Sequence, residues 1–342
     1  MIEILTSAQL ATIQDLGRTG YLRYGVGVAG AMDPIALSVG NLLLGNSASC
    51  AGVEIPVFPF KMRFGCDLGF ALTGADSLAT IDGHAIPPWW TRSAHEGQVL
   101  ILNPPISGAR VYLALAGGVD VPLVLGSRST QLRGAFGGYE GRALKKGDII
   151  HACRTDVAMR STMQFEGAGV GVQPPELALA SRLGDDPNCA DAAIVRVLRA
   201  GEYELFETSS LEQFWGEEWL VTSESNRSGY RLAGPALNLK SPVEKRSHGI
   251  VPGIIQVPPG GQPIIQMQEA QTMGGYPKIG TVIEADLWKL GQARPGSVVR
   301  FAQVDYADAI SALDDIERYL DQVCRDVEEC FSGDRERRAR QS

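Results

Sequence analysis

Phe70-Ala71-Leu72, Ala79-Thr80-Ile81, Val99-Leu100-Ile101-Leu102 and Val111-Tyr112-Leu113-Ala114-Leu115 are short apolar runs that follow one another between Phe64 and Pro122, with turn signals between them. Apolar runs of this length, closed off by turn residues, are strands, and their succession is a β meander. Asp82-Gly83, flanked by Ile81 and Ile86, is the favoured dipeptide of a two-residue hairpin, because both positions of that turn take φ > 0. Strand-like patterning returns at Ile194-Val195-Arg196-Val197-Leu198 and runs through Trp219-Leu220-Val221-Thr222 to Val298-Val299-Arg300-Phe301. Between the two regions, over roughly 163–193, periodicity fades into glycines, Gln173-Pro174-Pro175 and Gly184-Asp185-Asp186-Pro187, more than a compact domain spends on one loop. The expectation is a mainly β chain with an N-terminal domain over 1–193, a second β-rich domain over 194–305 and a terminal segment over 306–342.

The length agrees, since 342 residues exceed what one hydrophobic core serves. Forty glycines with 7% aromatic residues imply many turns and short strands. A net charge of −8 argues against a polyanionic partner such as nucleic acid. Met1-Ile2-Glu3-Ile4-Leu5-Thr6 lacks the basic start and long apolar run of a signal peptide, and no later stretch suits a bilayer, so a cytoplasmic protein is expected. Cys50, Cys66, Cys153, Cys189, Cys324 and Cys330 show no CxxC spacing, and His84, His95, His151 and His248 show no HxH or HxxxH spacing. Reduced thiols and no metal site are expected.

After Tyr306, Ile310, Leu313, Ile316, Leu320, Val323 and Val327 recur at helical spacing with acids on the other face, which predicts an amphipathic C-terminal helix. The closing Arg335-Glu336-Arg337-Arg338-Ala339-Arg340 reads as a solvated basic tail. Arg18-Thr19-Gly20-Tyr21 followed by Gly25 echoes Arg227-Ser228-Gly229-Tyr230 followed by Gly234, which suggests related folds in the two halves. Gly25-Val26-Gly27-Val28-Ala29-Gly30 fits GxGxxG, but the residues before it are neither apolar nor β-regular, so a dinucleotide site is not expected. Asp33-Pro34 can cap and start a helix through Leu42.

Three polar, glycine-dense segments remain. In Gln271-Thr272-Met273-Gly274-Gly275-Tyr276-Pro277-Lys278-Ile279-Gly280, adjacent glycines let backbone N–H groups approach a ligand closely, while Gln271, Thr272, Tyr276 and Lys278 supply donors. The plainer alternative is a Gly-Gly hairpin turn. Thr12-Ile13-Gln14-Asp15-Leu16-Gly17-Arg18 and Gly126-Ser127-Arg128-Ser129-Thr130 are of the same kind, and one cleft between the two domains is expected to gather all three. Gly137-Gly138-Tyr139-Glu140-Gly141-Arg142 is a further candidate for that cleft.

Residues 12–18 with Gly30-Ala31-Met32-Asp33, then 126–130, 227–232, 251–258 and 274–280, together resemble the allophanate hydrolase subunit 2 family, over nearly everything before Tyr306. That family includes the carboxyltransferase half-domain of urea carboxylase, the Kip antagonist protein of sporulating bacteria and the C subunit of 5-oxoprolinase. A stand-alone chain of this length is most similar to the last. The resemblance implies two cyclophilin-like β-barrel domains with a few short helices. It also implies an allophanate hydrolase subunit 1-type partner that completes the active site, and a lactam-utilisation subunit for ATP-dependent cleavage of 5-oxo-L-proline to L-glutamate. The chain departs from the family pattern at Gly27-Val28-Ala29, at Asn226 in place of an acid and at Met273 in place of a Thr.

For that reaction, Lys278, Arg128 and Arg18 are the candidates to stabilise phosphoryl or oxyanion charge. Asp15 can orient Arg18 or act as a base, or can simply cap a turn. Gln14, Gln271 and Tyr276, with Ser129, Thr130, Thr272, Gly274 and Gly275, are the expected substrate-binding residues. No GxxxxGK[ST] is present, and Lys61-Met62 lacks the surroundings of a biotinyl-lysine. ATP or carboxybiotin is therefore expected to be held by the complex, and no covalent biotin is expected on this chain. Two other functions stay open: carboxyl transfer from carboxybiotin to urea or a related amide, and a regulatory antagonist that binds a kinase-inhibitor protein.

Overall fold

The computed structural model of the chain describes residues 1–6, 10–153, 169–179, 192–243 and 245–339. The chain divides into two compact units. Unit 1 takes Met1–Gly17, Asp33–Ala178 and Glu317–Ser342, and unit 2 takes Arg18–Met32 and Leu179–Ile316. Two features of this division differ from the sequence expectation: the strip 18–32 belongs to the second unit, and the terminal helix is shared. Backbone and core contacts explain the first. Ala29 N–H donates to Gln268 O at 2.9 Å, Arg227 Nη2 donates to Gly30 O at 2.6 Å, and fully buried Met32 joins the core of unit 2. The expected boundary stretch, roughly 163–193, contains the passage from unit 1 to unit 2 at Ala178 and Leu179, while its residues 163–168 and 180–191 lie outside the described residues.

Unit 1 is built from β1 (Ile2–Ile4), β2 (Thr12–Gln14), β3 (Gly52–Ile55), β4 (Phe60–Phe64), β5 (Leu68–Asp76), β6 (Thr80–Ile81), β7 (His84–Ala85), β8 (Trp90–Ala94), β9 (Val99–Leu102), β10 (Ser107–Leu115) and β11 (Ile149–Ile150). They form a six-stranded sheet, β11-β1-β4-β9-β6-β7, and a five-stranded sheet, β2-β3-β10-β5-β8, all paired antiparallel. Alternation along β4 shows why: Phe60, Met62 and Phe64 are buried while Lys61 and Arg63 are exposed. One core joins both sheets and includes Ile2, Ile13, Phe60, Phe70, Leu100 and Leu113. Burying a phenylalanine contributes about 2–3 kcal/mol, and truncating fully buried Phe70 to Ala costs about 3–5 kcal/mol. The Asp82-Gly83 turn has φ of 45° and 82°, as its hairpin requires.

Helix α1 (Pro34–Leu43) starts as its sequence dictates, with Pro34 at its first turn and the Asp33 carboxylate accepting Ala36 N–H at 2.9 Å. It is tied to the five-stranded sheet, where Thr73 Oγ1 donates to Ala36 O at 2.6 Å and Tyr112 Oη accepts Asp33 N–H at 2.8 Å. Tyr112 donates in turn to Glu54 Oε2 at 2.7 Å, and burial holds its hydroxyl well above the usual phenol range. A one-turn helix, α2 (Pro175–Ala178), also belongs to this unit.

Unit 2 is a closed seven-stranded barrel in the order β12-β19-β16-β17-β14-β13-β20, made of β12 (Ala192–Arg199), β13 (Trp219–Val221), β14 (Gly229–Ala233), β16 (Ile254–Gln256), β17 (Ile264–Gln266), β19 (Lys278–Val282) and β20 (Val298–Gln303). Neighbours are antiparallel except β12 and β20, whose parallel pairing closes the ring. A two-stranded ribbon, β15 (His248–Gly249) with β18 (Met273–Gly274), stands apart from the barrel's strands. Helix α3 (Thr208–Gly216) brings Phe214 onto Phe301 of β20, the rings stacked with centroids 4.6 Å apart. Helix α4 (Leu287–Gln292) follows a turn whose buried Asp286 takes a two-point ion pair from Arg196 of β12. The Arg18 echo does not mark duplication: Leu22–Tyr24 is a 3₁₀ turn where the Arg227 copy enters strand β14, and both copies lie in unit 2.

Helix α5 (Tyr306–Ala339) is longer than expected, since it runs on through much of the basic tail. Its buried positions are Ala309, Ala312, Tyr319, Val323 and Val327, whereas Ile310 is exposed, so small residues replace the expected Ile310 at the start of the inward stripe. Among the described residues no helix is long and apolar enough to cross a membrane. Cys50, Cys66, Cys153, Cys324 and Cys330 carry free thiols, and Cys189 lies outside the described residues.

Candidate functional site

In unit 1, strand β2 brings Gln14 and Asp15 against the 126–130 segment. Asp15 Oδ1 accepts Gly17 N–H at 2.8 Å, Ser127 Oγ at 2.7 Å and Ser129 Oγ at 2.5 Å, while Oδ2 accepts Arg128 N–H at 2.5 Å. Asp15 N–H donates back to Ser129 Oγ at 2.9 Å. Four donors match the roughly four acceptor positions of a carboxylate. Three of these donors meet Oδ1 and one meets Oδ2, the arrangement of a turn-capping aspartate that fixes the serine loop. Thr130 is held on the same strand, with its N–H and Oγ1 donating to Ile13 O at 2.9 and 3.0 Å. Gln14 is fully buried and donates from Nε2 to Thr12 Oγ1 at 2.9 Å and to Thr130 O at 3.3 Å, while its Oε1 has no hydrogen-bond partner among the described residues. Ser129 and Thr130 have no exposed surface. Arg128 is fixed at both ends, since its Nε donates to Val121 O at 3.0 Å.

The 137–141 segment lines a different feature of unit 1, a cavity of about 400 Å³ with apolar walls from Val121, Val124, Phe136 and Ile149. Arg18 belongs to unit 2, where its N–H donates to Val28 O at 2.8 Å and its side chain is 1% exposed.

The larger polar cavity is wholly within unit 2, about 530 Å³ on the outer face of β14, β17 and β16. The strand period dictates which residues face it. Tyr230, Leu232, Ile255 and Ile265 point into the barrel core, so Gly229, Arg231, Gln256, Ile264 and Gln266 point out. Gln256 and Gln266 are nevertheless buried, at 4% and 8% exposure, although they lie on the outer face. Met273, Gly274, Gly275 and Tyr276, on and after β18, form the other wall together with Ser247 and Gln271. Gly274 permits the close approach, for a Cβ there would collide with the Gln256 amide. The chain's departures from the family pattern, Asn226 and Met273, also line this cavity.

Of the residues expected from the 271–280 segment, Gln271, Gly274, Gly275 and Tyr276 line the cavity. Thr272 gives its carbonyl to Ile250 N–H at 3.1 Å. Lys278 is not among the lining residues. Its side chain, 6% exposed, donates from Nζ to Tyr276 O at 3.1 Å and lies 3.9 Å from Glu202 Oε2. Glu202 also receives Lys245 Nζ at 2.6 Å and has His248 Nε2 at 3.8 Å. Burial pushes the Lys278 ammonium below the usual lysine value, partly offset by Glu202 and reinforced by the Lys245 charge. Burial pushes the Glu202 carboxyl up, but the hydrogen bonds from Lys245 and from Lys278 N–H outweigh it and hold the group below its usual value.

Sequence reasoning passed over Gln256, Gln266, Glu202 and Lys245. A usable signal was present: Ile254-Ile255-Gln256 and Ile264-Ile265-Gln266 are identical tripeptides ten residues apart, each ending an isoleucine pair with an amide.

A family model described as the carboxyltransferase domain, subdomains A and B, matches residues 24–303. The chain is 39% identical to the 5-oxoprolinase C subunit of Escherichia coli, covering 94% of this chain and 97% of that protein. It is 40% identical to the protein of the same name from Haemophilus influenzae, covering 96% and 99%. The crystal structure of Kluyveromyces lactis urea carboxylase superposes with a TM-score of 0.82 at 29% identity, over 94% of this chain and 29% of that longer one. The chain belongs to the carboxyltransferase-domain family, subdomains A and B.

Proposed function

We propose that this chain is one subunit of an ATP-dependent 5-oxoprolinase, which hydrolyses 5-oxo-L-proline to L-glutamate together with an allophanate hydrolase subunit 1-type partner and a lactam-utilisation subunit. One observation carries the reading: the match to two proteins named as the C subunit of 5-oxoprolinase spans nearly all of both, 97% and 99% of their lengths. The name of a subunit supports work within a complex.

Opening a five-membered lactam is slow because the amide is resonance-stabilised. Phosphorylation of its oxygen makes the carbon easier to attack and creates negative charge that fixed cations must meet. In the proposed roles Arg128 in unit 1 and Lys278 in unit 2 are each a candidate to meet such charge, a contact of that kind contributing about 3 kcal/mol in a water-poor site. Arg18, being buried, serves only a group that reaches the interior. Asp15, with Ser127 and Ser129, positions Arg128, and Gln271 and Tyr276 position the ring. The proposed nucleotide is ATP held by the complex, and among the described residues Arg231 is the one lysine or arginine lining these two cavities, where a triphosphate takes several cations.

The experiment is to mix the purified chain with its two partner subunits and follow ATP-dependent glutamate release. Release is expected only with all three, and activity from the other two alone would defeat the assignment. The likeness to urea carboxylase favours a second reading, carboxyl transfer from carboxybiotin to urea or a related amide, for which carboxybiotin-dependent turnover is the corresponding assay.

A further inference from the structure

We propose that the unit 2 cavity reads the cis-amide edge of a lactam ring through the side chain of Gln266, with Gln256 fixing the orientation of that side chain and Arg231 taking a carboxylate carried by the same ring. The identity of the ring rests on the 5-oxoprolinase reading; the recognition mode rests on the cavity.

The orientation of both amides follows from one backbone carbonyl. Gln256 lies with one amide end 3.5 Å from Tyr276 O, and since a carbonyl only accepts, that end is the nitrogen. Gln256 Oε1 then faces Gln266, which must offer its own nitrogen, and the Nε2 to Oε1 distance is 3.1 Å. Gly274 presses on the Gln256 amide from the ribbon and holds it in place. The pair therefore stands in one state. Among the described residues the Gln266 carbonyl has no donor, and one hydrogen of its Nε2 is also unused. Both belong to a side chain that lines the cavity and is 8% exposed.

A primary amide with a free C=O and a free N–H presents an acceptor and a donor side by side. A five-membered lactam is locked cis by its ring, so its N–H and C=O also lie on one edge. The two edges fit in a cyclic pair of hydrogen bonds, which a trans peptide cannot form. Ureido compounds share this edge, so the glutamine alone does not separate them from lactams. Arg231 can make that distinction. Arg231 lines the cavity, its side chain is 52% exposed, and its counter-ion Glu224 stands 3.6 Å away and is 76% exposed, a weak pair that a bidentate carboxylate displaces. A lactam bearing a carboxylate beside the ring nitrogen satisfies both groups. Urea satisfies only the first.

The test is ligand-observed NMR on the full chain with 5-oxo-L-proline, 2-pyrrolidinone, N-methyl-2-pyrrolidinone and L-proline, repeated on Gln266→Leu and Arg231→Met. 5-Oxo-L-proline is expected to bind best and 2-pyrrolidinone more weakly. N-methylation, which removes the N–H, is expected to weaken the lactam by about tenfold or more. Gln266→Leu should lose both lactams, and Arg231→Met should erase the preference for the carboxylate while keeping 2-pyrrolidinone. Thermal unfolding of each variant checks that it is folded at the temperature of the binding measurement, and the N-methyl lactam tests the same hydrogen bond on the unaltered chain. Equal binding of the N-methyl lactam, unchanged affinity in Gln266→Leu, or no lactam binding at all overturns the proposal. Lactam binding as described, with no glutamate from the reconstituted complex, instead removes the 5-oxoprolinase reading and leaves the recognition mode standing.

Discussion

Glu202 holds Lys278 at two points: its Oε2 accepts the Lys278 backbone N–H at 2.6 Å and stands 3.9 Å from the Lys278 ammonium. The same carboxylate takes Lys245 at 2.6 Å through Oε1. One acid thus joins the start of β19 to residue 245, just before the ribbon strand β15, and so sets the position of the wall behind Tyr276.

Glu202→Gln is expected to show a pH-dependent loss of stability. The folded pKa of Glu202 lies below its usual value of 4.5, so the unfolded chain binds the extra proton in the interval between the two. The stabilisation is complete above about 4.5 and disappears as pH falls through the folded pKa. At neutral pH the variant should lose about 1–2 kcal/mol, and in strong acid it should equal the parent. Urea titrations across pH measure this, and a gap that persists unchanged in acid contradicts it.

Lys278→Met separates chemistry from assembly. A lysine that meets reaction charge predicts turnover of the three-subunit mixture down by about a hundredfold, with the complex still eluting as one species. Loss of the complex itself would make Lys278 an interface residue.

Asp15→Ala leaves four donors around an empty space, at a cost of about 2–3 kcal/mol in unfolding free energy. Asp15→Asn keeps acceptors for part of the network and should lose less. A base would give no such ranking, with Asn and Ala equally inactive and equally folded. Denaturant midpoints read beside turnover decide between the two.

Gly274→Ala should disturb binding more than folding. The added methyl meets the far end of the Gln256 side chain, which can move away, so the thermal midpoint should shift by only a few degrees. Lactam affinity should drop about tenfold as the amide pair loses its register. A variant with native affinity would show that Gln256 tolerates the displacement.

Much of the fold could be read from local pattern, because alternation and turn chemistry act over a few residues. The meander, the Asp82-Gly83 hairpin and the Asp33 cap on α1 are all of this kind. The placement of 18–32 was not legible, since its attachments are backbone and core contacts to residues some 200 positions away. The candidate site was half legible. Glycines at 274 and 275 announce a close approach, but not what is approached, and the outward amides of β16 and β17 look like ordinary strand ends until the ribbon covers them. Lys278 was grouped with the loop by nearness in sequence, yet its side chain is engaged by Tyr276 O and Glu202.

Unit 1 is assembled from three separate stretches of chain, the third beginning at Glu317, where buried Tyr319 donates to Gln173 O at 2.8 Å and Val323 and Val327 are also covered. A ribosome delivers the first 178 residues early and the covering helix only after the whole of unit 2. The unit whose first residues emerge earliest is therefore the one completed last, since its third stretch leaves the ribosome after all of unit 2.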